Sequence, residues 1–352
     1  MIRRNILVLS DGKPGHYNQS LGIVDKMTDL SISVIDIRFK SKWRDNLLRV
    51  SVRLLYNFRI LKSLIIRMLR WAIEKPSVEK LLEEKDVDII LSTGSSVAAP
   101  NFLLGRLTRA KSVVCTRPSP IGAKPFDMAI LPEHSRPRRI AQNIVMTFGV
   151  PNRITREKVD EAGSLLAEKL YISKNHVIGV LLGGDDPYYS VSPTMTSLLC
   201  DALIDICNEI GACIALTTSR RTVAASEDII RSKLSDSPLC CLLIFASEPQ
   251  QSSPVSGIIG ISDVVIVTED SFSMVCEAAS SGKKVIILDV ERKRDNPKRQ
   301  RVYQLMTENG YTRRSNIANL RHDIADFIND SSYIRYLDDA QLAANALWDL
   351  LP

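Results

Sequence analysis

Residues 263–288 read "DVVIVTEDSFSMVCEAASSGKKVIIL". An apolar run ends at Thr268, an acidic pair follows, and Ser271, Ser273 and Met274 open an amphipathic stretch that carries Glu277. Gly282 stops that stretch where a helix usually ends, because glycine takes up the left-handed conformation of a helix cap without steric cost. A second apolar run, "KVIIL", completes a strand–helix–strand unit. Strands that are apolar throughout, rather than at alternate positions, belong to a parallel sheet covered by helices on both faces.

The same alternation extends in both directions. Strand-like runs occur at 5–9, 32–37, 87–91, 112–116, 127–131 and 143–147, then at 176–182, 213–217, 241–245, 263–267 and 284–288. Eleven strands exceed an ordinary sheet, and "GVPNR" (149–153) has the composition of a linker. The expected fold is therefore α/β: two doubly wound, Rossmann-like domains, 1–150 and 151–330, facing a central cleft. The amphipathic stretch 331–352 is expected to form a helix packing back across the junction.

The chain's 352 residues suffice for two hydrophobic cores. Its 45% hydrophobic and 24% charged residues fit a soluble globular protein. Seven cysteines lack metal-ligand spacing and lie mostly in apolar runs, so they read as reduced core thiols of a cytoplasmic protein. The N-terminal apolar run stops at Asp11, too short for a signal peptide.

Charge is unevenly placed. Between Arg38 and Lys75 stand eleven basic residues against two acidic ones, while the whole chain carries only +6. In the same segment Leu47, Val50, Leu54, Phe58, Leu61, Ile65, Met68 and Ala72 recur at three- and four-residue steps, the period of one helix face. Such a segment can lie on an anionic membrane surface; the plain alternative is a core-packed helix with a basic outer face. No recognition motif accompanies the charge, so nucleic acid is not the expected partner.

Ligands of doubly wound sheets bind beyond the carboxyl ends of the strands, so the loops there carry the chemistry. In the second half, Gly183 and Gly184 can bring backbone amides to an anion, or simply form a tight turn. Asp185 and Asp186 lack further metal ligands nearby and read as solvated turn residues. Thr218, Ser219, Arg220 and Arg221 offer hydroxyls and guanidinium forks that match phosphate oxygens; a Thr222 cap beside surface arginines is the competing reading. In the opening stretch, Ser271, Ser273 and Met274 at a helix N-terminus suit a diphosphate. Glu277 one turn on suits ribose hydroxyls, and Glu269 and Asp270 would face a hydroxylated group. "ERKRDNPKRQR" (291–301) adds a further basic run including Arg299.

The first half offers "SDGKPGHYNQSLG" (10–22), "STGSS" (92–96), "TRPSP" (116–120) and "LPEHS" (131–135). These loops are polar and poor in glycine, which suits a hydroxylated acceptor better than a phosphate. Lys13, Asn18, Gln19, Arg117, Glu133 and His134 are the acceptor-side candidates, with Arg299 from the second half. His16 is the candidate base, since an imidazole's ordinary pKa of about 6.5 suits proton transfer. Asp11 is either a second base, if burial raises its pKa, or the residue that orients His16.

"SDGKPGHYNQSLG", "FDMAILPEH", "VMTFGVPNRIT", "TTSRRT" and "VTEDSFSMVCEAASSGK" together resemble the mitochondrial-fission (elongated-mitochondria) family of bacteria and plants. Ser135 and Lys283-Lys284 depart from its usual residues. That family looks like GT-B glycosyltransferases, and "SMVCEAASSGKKVI" is similar to the donor-site helix of the lipid-linked N-acetylglucosaminyl transferase of peptidoglycan synthesis. The resemblance implies Glu277 at the donor ribose and Ser271–Met274 at its phosphates. Plant members are described as organelle-division factors, and bacterial ones are placed with envelope glycan synthesis.

The expectation is a metal-independent, inverting glycosyltransferase without a cofactor. It would take a nucleotide sugar to a membrane-associated glycolipid of lipopolysaccharide type, peripherally on the inner face of the cytoplasmic membrane. A non-catalytic GT-B adaptor and a nucleotide-sugar epimerase are the rival readings.

Overall fold

The computed structural model describes residues 4–170, 174–249, 254–332 and 334–351. The chain divides into two compact units, Met1–Arg153 with Asp338–Pro352, and Ile154–Leu337. The return to the first unit comes at Asp338, so the last helix belongs with the N-terminal sheet.

The first unit begins β1 (Arg4–Ser10), α1 (Pro14–Val24), β2 (Leu30–Asp36), α2 (Lys42–Leu55), α3 (Lys62–Ala72) and α4 (Lys75–Glu83). It continues β3 (Ile89–Thr93), α5 (Ser95–Thr108), β4 (Lys111–Cys115), β5 (Met128–Pro132) and β6 (Ile144–Thr147). Its six strands are all parallel, in the order β2-β1-β3-β4-β5-β6. Alternate strand residues serve two cores. Leu7, Leu9, Ile90 and Val114 pack with the helices α2 to α5, and Ile6, Val8, Leu91 and Val113 pack with α1 and the C-terminal helix. This two-sided burial is why the strands read as unbroken apolar runs.

The second unit runs α6 (Arg156–Ala167), β7 (His176–Leu181), β8 (Tyr189–Ser190), α7 (Pro193–Ile210), β9 (Ala212–Thr217), α8 (Ala224–Leu234) and β10 (Cys240–Ile244). There follow α9 (Val255–Ile261), β11 (Val264–Thr268), α10 (Phe272–Ser280), β12 (Lys284–Leu288), β13 (Glu291–Arg292), α11 (Pro297–Glu308), β14 (Arg313–Ser315) and α12 (Leu320–Asn329). The final helix, α13 (Asp339–Leu350), packs on α1 and β6 of the first unit. The second sheet is again parallel, ordered β10-β9-β7-β11-β12-β14. That is the doubly wound 3-2-1-4-5-6 order, with its switch point between β7 and β11. In the first unit the corresponding reversal falls between β1 and β3.

All eleven expected strands form. Three short ones carry no apolar signal: β14 is Arg-Arg-Ser, and β8 and β13 form a two-residue antiparallel pair. The basic segment differs from expectation in one respect. It breaks at residues 56–61 into α2 and α3, and its core face is Leu48, Val52, Ile65, Leu69 and Ala72. Leu47, Val50, Leu54, Phe58 and Leu61, read as part of one continuous stripe, are exposed.

Candidate functional site

At the first unit's switch point, the turn after β1 folds around Asp11. Gly12 takes φ +75° and donates its amide to Ser10 Oγ at 3.1 Å, and Pro14 starts α1. His16, within the first turn of that helix, places Nδ1 3.0 and 3.1 Å from the two Asp11 oxygens. Ser96 Oγ donates to Asp11 Oδ2 at 3.0 Å, and Lys13 adds its amide at 3.3 Å and its ammonium at 3.1 Å. Burial alone would raise the Asp11 pKa; the hydrogen bond and charge of His16, with Lys13 and Ser96, outweigh it and hold the carboxyl well below the usual range. Asp11 is therefore held in its ionised form, with both oxygens turned to His16 Nδ1.

Because a carboxylate only accepts, His16 Nδ1 donates to it, which leaves Nε2 as the ring nitrogen facing away from Asp11. The ring is 29% exposed, and Nε2 has no partner among the described residues. Gly94, at φ +97°, makes this packing possible: a Cβ there would stand 2.6 Å from the imidazole. Ser20 and Thr93 tie α1 to the end of β3 through a 2.8 Å hydroxyl pair. Neither Ser96 nor Gly94 carried a signal in the sequence beyond its place in "STGSS".

Of the acceptor-side candidates in this unit, only Lys13 touches the Asp11–His16 pair. Asn18 and Arg117 are exposed, and Gln19 is half-buried with Oε1 enclosed and without a partner among the described residues. Glu133 pairs with Arg136 at 2.5 and 2.7 Å, and His134 sits half-buried in the adjoining 3-10 turn.

In the second unit several expected ligand groups are occupied by the protein itself. The Gly183 amide donates to Thr268 Oγ1 at 2.8 Å and the Gly184 amide to Asp270 Oδ2 at 2.9 Å. These glycines serve close packing instead: a Cβ on Gly183 would strike the Asp270 carboxylate, and one on Gly184 the backbone of Arg221. Arg221 donates to Asp270 Oδ2 at 2.8 Å, and Thr218 to Glu227 Oε1 at 2.5 Å. Ser219 accepts from the Arg221 amide at 3.2 Å. Arg220 is exposed with no ion pair among the described residues.

Glu269 and Asp270 are likewise bonded within the protein. Glu269 is fully buried; Oε1 accepts from Arg292 at 3.1 Å and Val290 N at 3.2 Å, and Oε2 from Gln300 at 2.6 Å and Arg314 at 3.3 Å. Asp270 is 2% exposed, its pKa pushed upward by burial, with Oδ1 enclosed and without a partner among the described residues. Asp185 is held by Lys293 at 2.6 Å and Asp186 by Arg299 at 3.2 Å. Arg299, expected on the acceptor side, stands in this unit, donating to the Asp270 carbonyl at 3.0 Å and lying over the Tyr189 ring.

What remains open is the start of α10. The amides of Ser273 and Met274, in the first turn of the helix, have no acceptor among the described residues. Ser271 is the N-cap residue but makes no side-chain cap bond. One turn on, Glu277 is half-buried with no hydrogen-bond or ion-pair partner among the described residues, and desolvation raises its pKa to about 7. Free helix-start amides with an unpartnered carboxylate beside them can take an anion and a pair of hydroxyls.

The family described as Mitochondrial fission ELM1 matches residues 14–351. The Arabidopsis thaliana mitochondrial fission protein ELM1 is 24% identical over 187 residues, 47% of this chain and 43% of that protein, so the match spans under half the relative's length. An uncharacterised protein of Rickettsia prowazekii is 22% identical over 80% of this chain and 82% of its own. Among solved structures, the UDP-GlcNAc 2-epimerase of Methanocaldococcus jannaschii covers 99% of both chains at 11% identity, with a TM-score of 0.62. The glycotransferase of kitacinnamycin covers 100% of both at 13% identity, with a TM-score of 0.53. These likenesses establish the fold, the two-sheet α/β architecture of GT-B epimerases and glycosyltransferases. With its sequence matched from the first helix to the last, this chain belongs to the mitochondrial fission ELM1 family.

Proposed function

We propose that this protein is a glycosyltransferase that moves a sugar from a nucleotide donor to a hydroxyl of a membrane-associated, lipopolysaccharide-type glycolipid, with inversion. The observation that carries the reading is the Asp11–His16 pair: a buried, ionised carboxylate holds Nδ1 of a histidine whose Nε2 is unpartnered. That is the arrangement of a general base with its orienting group. In the reaction, the acceptor oxygen forms a bond to the anomeric carbon as the bond from that carbon to the donor phosphate breaks. The hydroxyl proton passes to His16 Nε2, and Asp11 stabilises the imidazolium that forms.

The second unit supports the donor half. Amides of Ser273 and Met274 suit the departing phosphate, whose charge grows as the bond breaks, with exposed Arg220 as a further cation. Glu277 accepts from the ribose hydroxyls. Leaving-group stabilisation rests on these donors and needs no metal; Asp185 and Asp186 are already neutralised by Lys293 and Arg299. Neighbours of the same fold bind such ligands, as in the Neisseria meningitidis 2-epimerase bound to UDP-GlcNAc. Among the described residues no helix is long and apolar enough to cross a membrane, and we place the protein peripherally on the inner face of the cytoplasmic membrane.

Thermal stabilisation by a panel of sugar nucleotides, including cytidine-monophosphate-linked acids, tests donor binding. Folded protein indifferent to every donor would favour the adaptor reading. With a binding donor, His16→Ala is expected to keep the thermal shift and lose transfer by about 10²- to 10⁴-fold. Isomerisation of the donor without an acceptor would instead identify an epimerase.

A further inference from the structure

The helix α2 has two apolar faces on opposite sides. Leu48 and Val52 are buried in the core, whereas Trp43, Leu47, Val50 and Leu54 follow one another at four, three and four residues along the outer face. Exposure there is high: 57% for Trp43 and 68% for Leu54. The turn beyond α2 and the start of α3 continue the surface with Phe58 at 65%, Leu61 at 71% and Leu64 at 43%. Seven large apolar side chains thus project from a segment of 22 residues (43–64). A single exposed leucine needs no explanation, but a contiguous set marks a contact surface.

The charges around this surface identify what it contacts. Lys42, Arg59, Lys62, Arg67 and Arg70 are exposed and form no ion pair with a carboxylate among the described residues. The arginines nearer the core are spoken for: Arg49 grips Asp45 at 2.8 and 3.0 Å, and Arg44 lies against the rings of Trp43 and Trp71. An apolar protein partner would leave five unpaired cations at its rim. Phospholipid headgroups supply the anions, and the acyl boundary beneath them takes the leucines and phenylalanine. A tryptophan whose edge is stacked and whose body is exposed suits the same interface.

We propose that the outer face of α2, the 56–61 turn and the first turn of α3 insert into the headgroup layer of an anionic bilayer. This rests on the membrane-held acceptor proposed above and says which surface meets the membrane. The surface is joined to the candidate base. Arg49 donates to the Ser119 carbonyl at 3.0 Å, the Ser119 amide donates to Ser95 Oγ at 3.2 Å, and the neighbouring Ser96 holds Asp11. These bonds tie α2 to the loop that carries Asp11.

The test uses the full chain, without sugar nucleotide or glycolipid, so it is independent of catalysis. Vesicles of phosphatidylcholine mixed with phosphatidylglycerol are expected to sediment the protein, pure phosphatidylcholine vesicles to leave most of it in solution, and high salt to release it. The triple variant Leu54→Ser, Phe58→Ser, Leu61→Ser, with unchanged circular dichroism and unfolding midpoint, is expected to bind at least about tenfold more weakly. The variant Arg59→Gln, Lys62→Gln, Arg67→Gln is expected to lose about a hundredfold, at roughly fivefold per cation. Equal binding to neutral vesicles, or vesicle binding untouched by the serine substitutions, overturns the proposal. So does a wild-type dimer that these substitutions convert to a monomer while lipid binding persists, because the surface would then be a contact between copies.

Discussion

In the proposed reaction, His16 and Asp11 divide the work of a base between them through their surroundings. The carboxylate sits among three donors and stays ionised, which suits it to orient the imidazole in that reaction. Asp11→Asn preserves volume but presents an amide that can also donate to Nδ1, favouring the wrong tautomer; transfer is expected to fall about 10²- to 10⁴-fold while donor binding is unchanged. Gly94→Ala is expected to be worse for both stability and turnover. It forces a Cβ against the imidazole at an unfavourable φ, costing about 1–3 kcal/mol, readable as a shift in the urea midpoint. Glu277 gives a pH signature. Its carboxyl is raised to about 7 by desolvation, and only the ionised form accepts from both ribose hydroxyls. Donor affinity is thus expected to rise between pH 6 and 8, and Glu277→Gln to abolish that rise, as read by titration calorimetry across the range.

Among the elements, α13 has a specific anchoring task. Asp339, its first residue, accepts from the amides of Phe148 at 2.9 Å and Gly149 at 2.7 Å, pinning the strand that leads out of the first unit. Burial raises its pKa to about 6, despite those two amides, which act in the opposite direction. The folded state therefore holds this proton more tightly than the unfolded one, whose carboxyl titrates near 4. The associated stability is full below about pH 4 and is lost as pH rises through about 6, amounting to about 2–3 kcal/mol. Thermal unfolding of Asp339→Asn is expected to lack this slope, whereas Asp339→Ala should be less stable throughout because two amides lose their acceptor. The helix itself was visible as an amphipathic stretch. Its attachment was not, because an aspartate at a helix start reads as an ordinary cap and its contact lies 190 residues away.

Across the whole molecule, the two sheets place their polar loops at equivalent points, where strand order reverses: Asp11 and His16 beyond β1 in one unit, and Gly183 and Asp270 beyond β7 and β11 in the other. The second loop set is braced by Glu269, whose carboxylate meets Arg292, Arg314 and Gln300. Removing one partner of such a buried network leaves the others uncompensated. Glu269→Ala is expected to destabilise the protein by about 3–5 kcal/mol, measured by denaturant unfolding, and to disorder the loops around β13. The strands, the α/β class and the helix limit at Gly282 were legible in the amino-acid order, because apolar runs and cap residues act over a few neighbours, whereas most of the stretch 10–22, read as a loop, lies in α1. The polar character of that stretch was legible too. Which polar groups remain open was decided by tertiary structure alone. Gly183, Gly184, Thr218, Arg221, Glu269 and Asp270 have the chemistry of ligand residues but spend it on one another, whereas Glu277 and the α10 amides keep theirs. The same holds for α2, where periodicity shows apolar residues on the helix but only packing decides which face the core takes and which it leaves outside. Residue type sets what a side chain can bond to; the partners the fold brings within reach determine whether that capacity is left for a ligand.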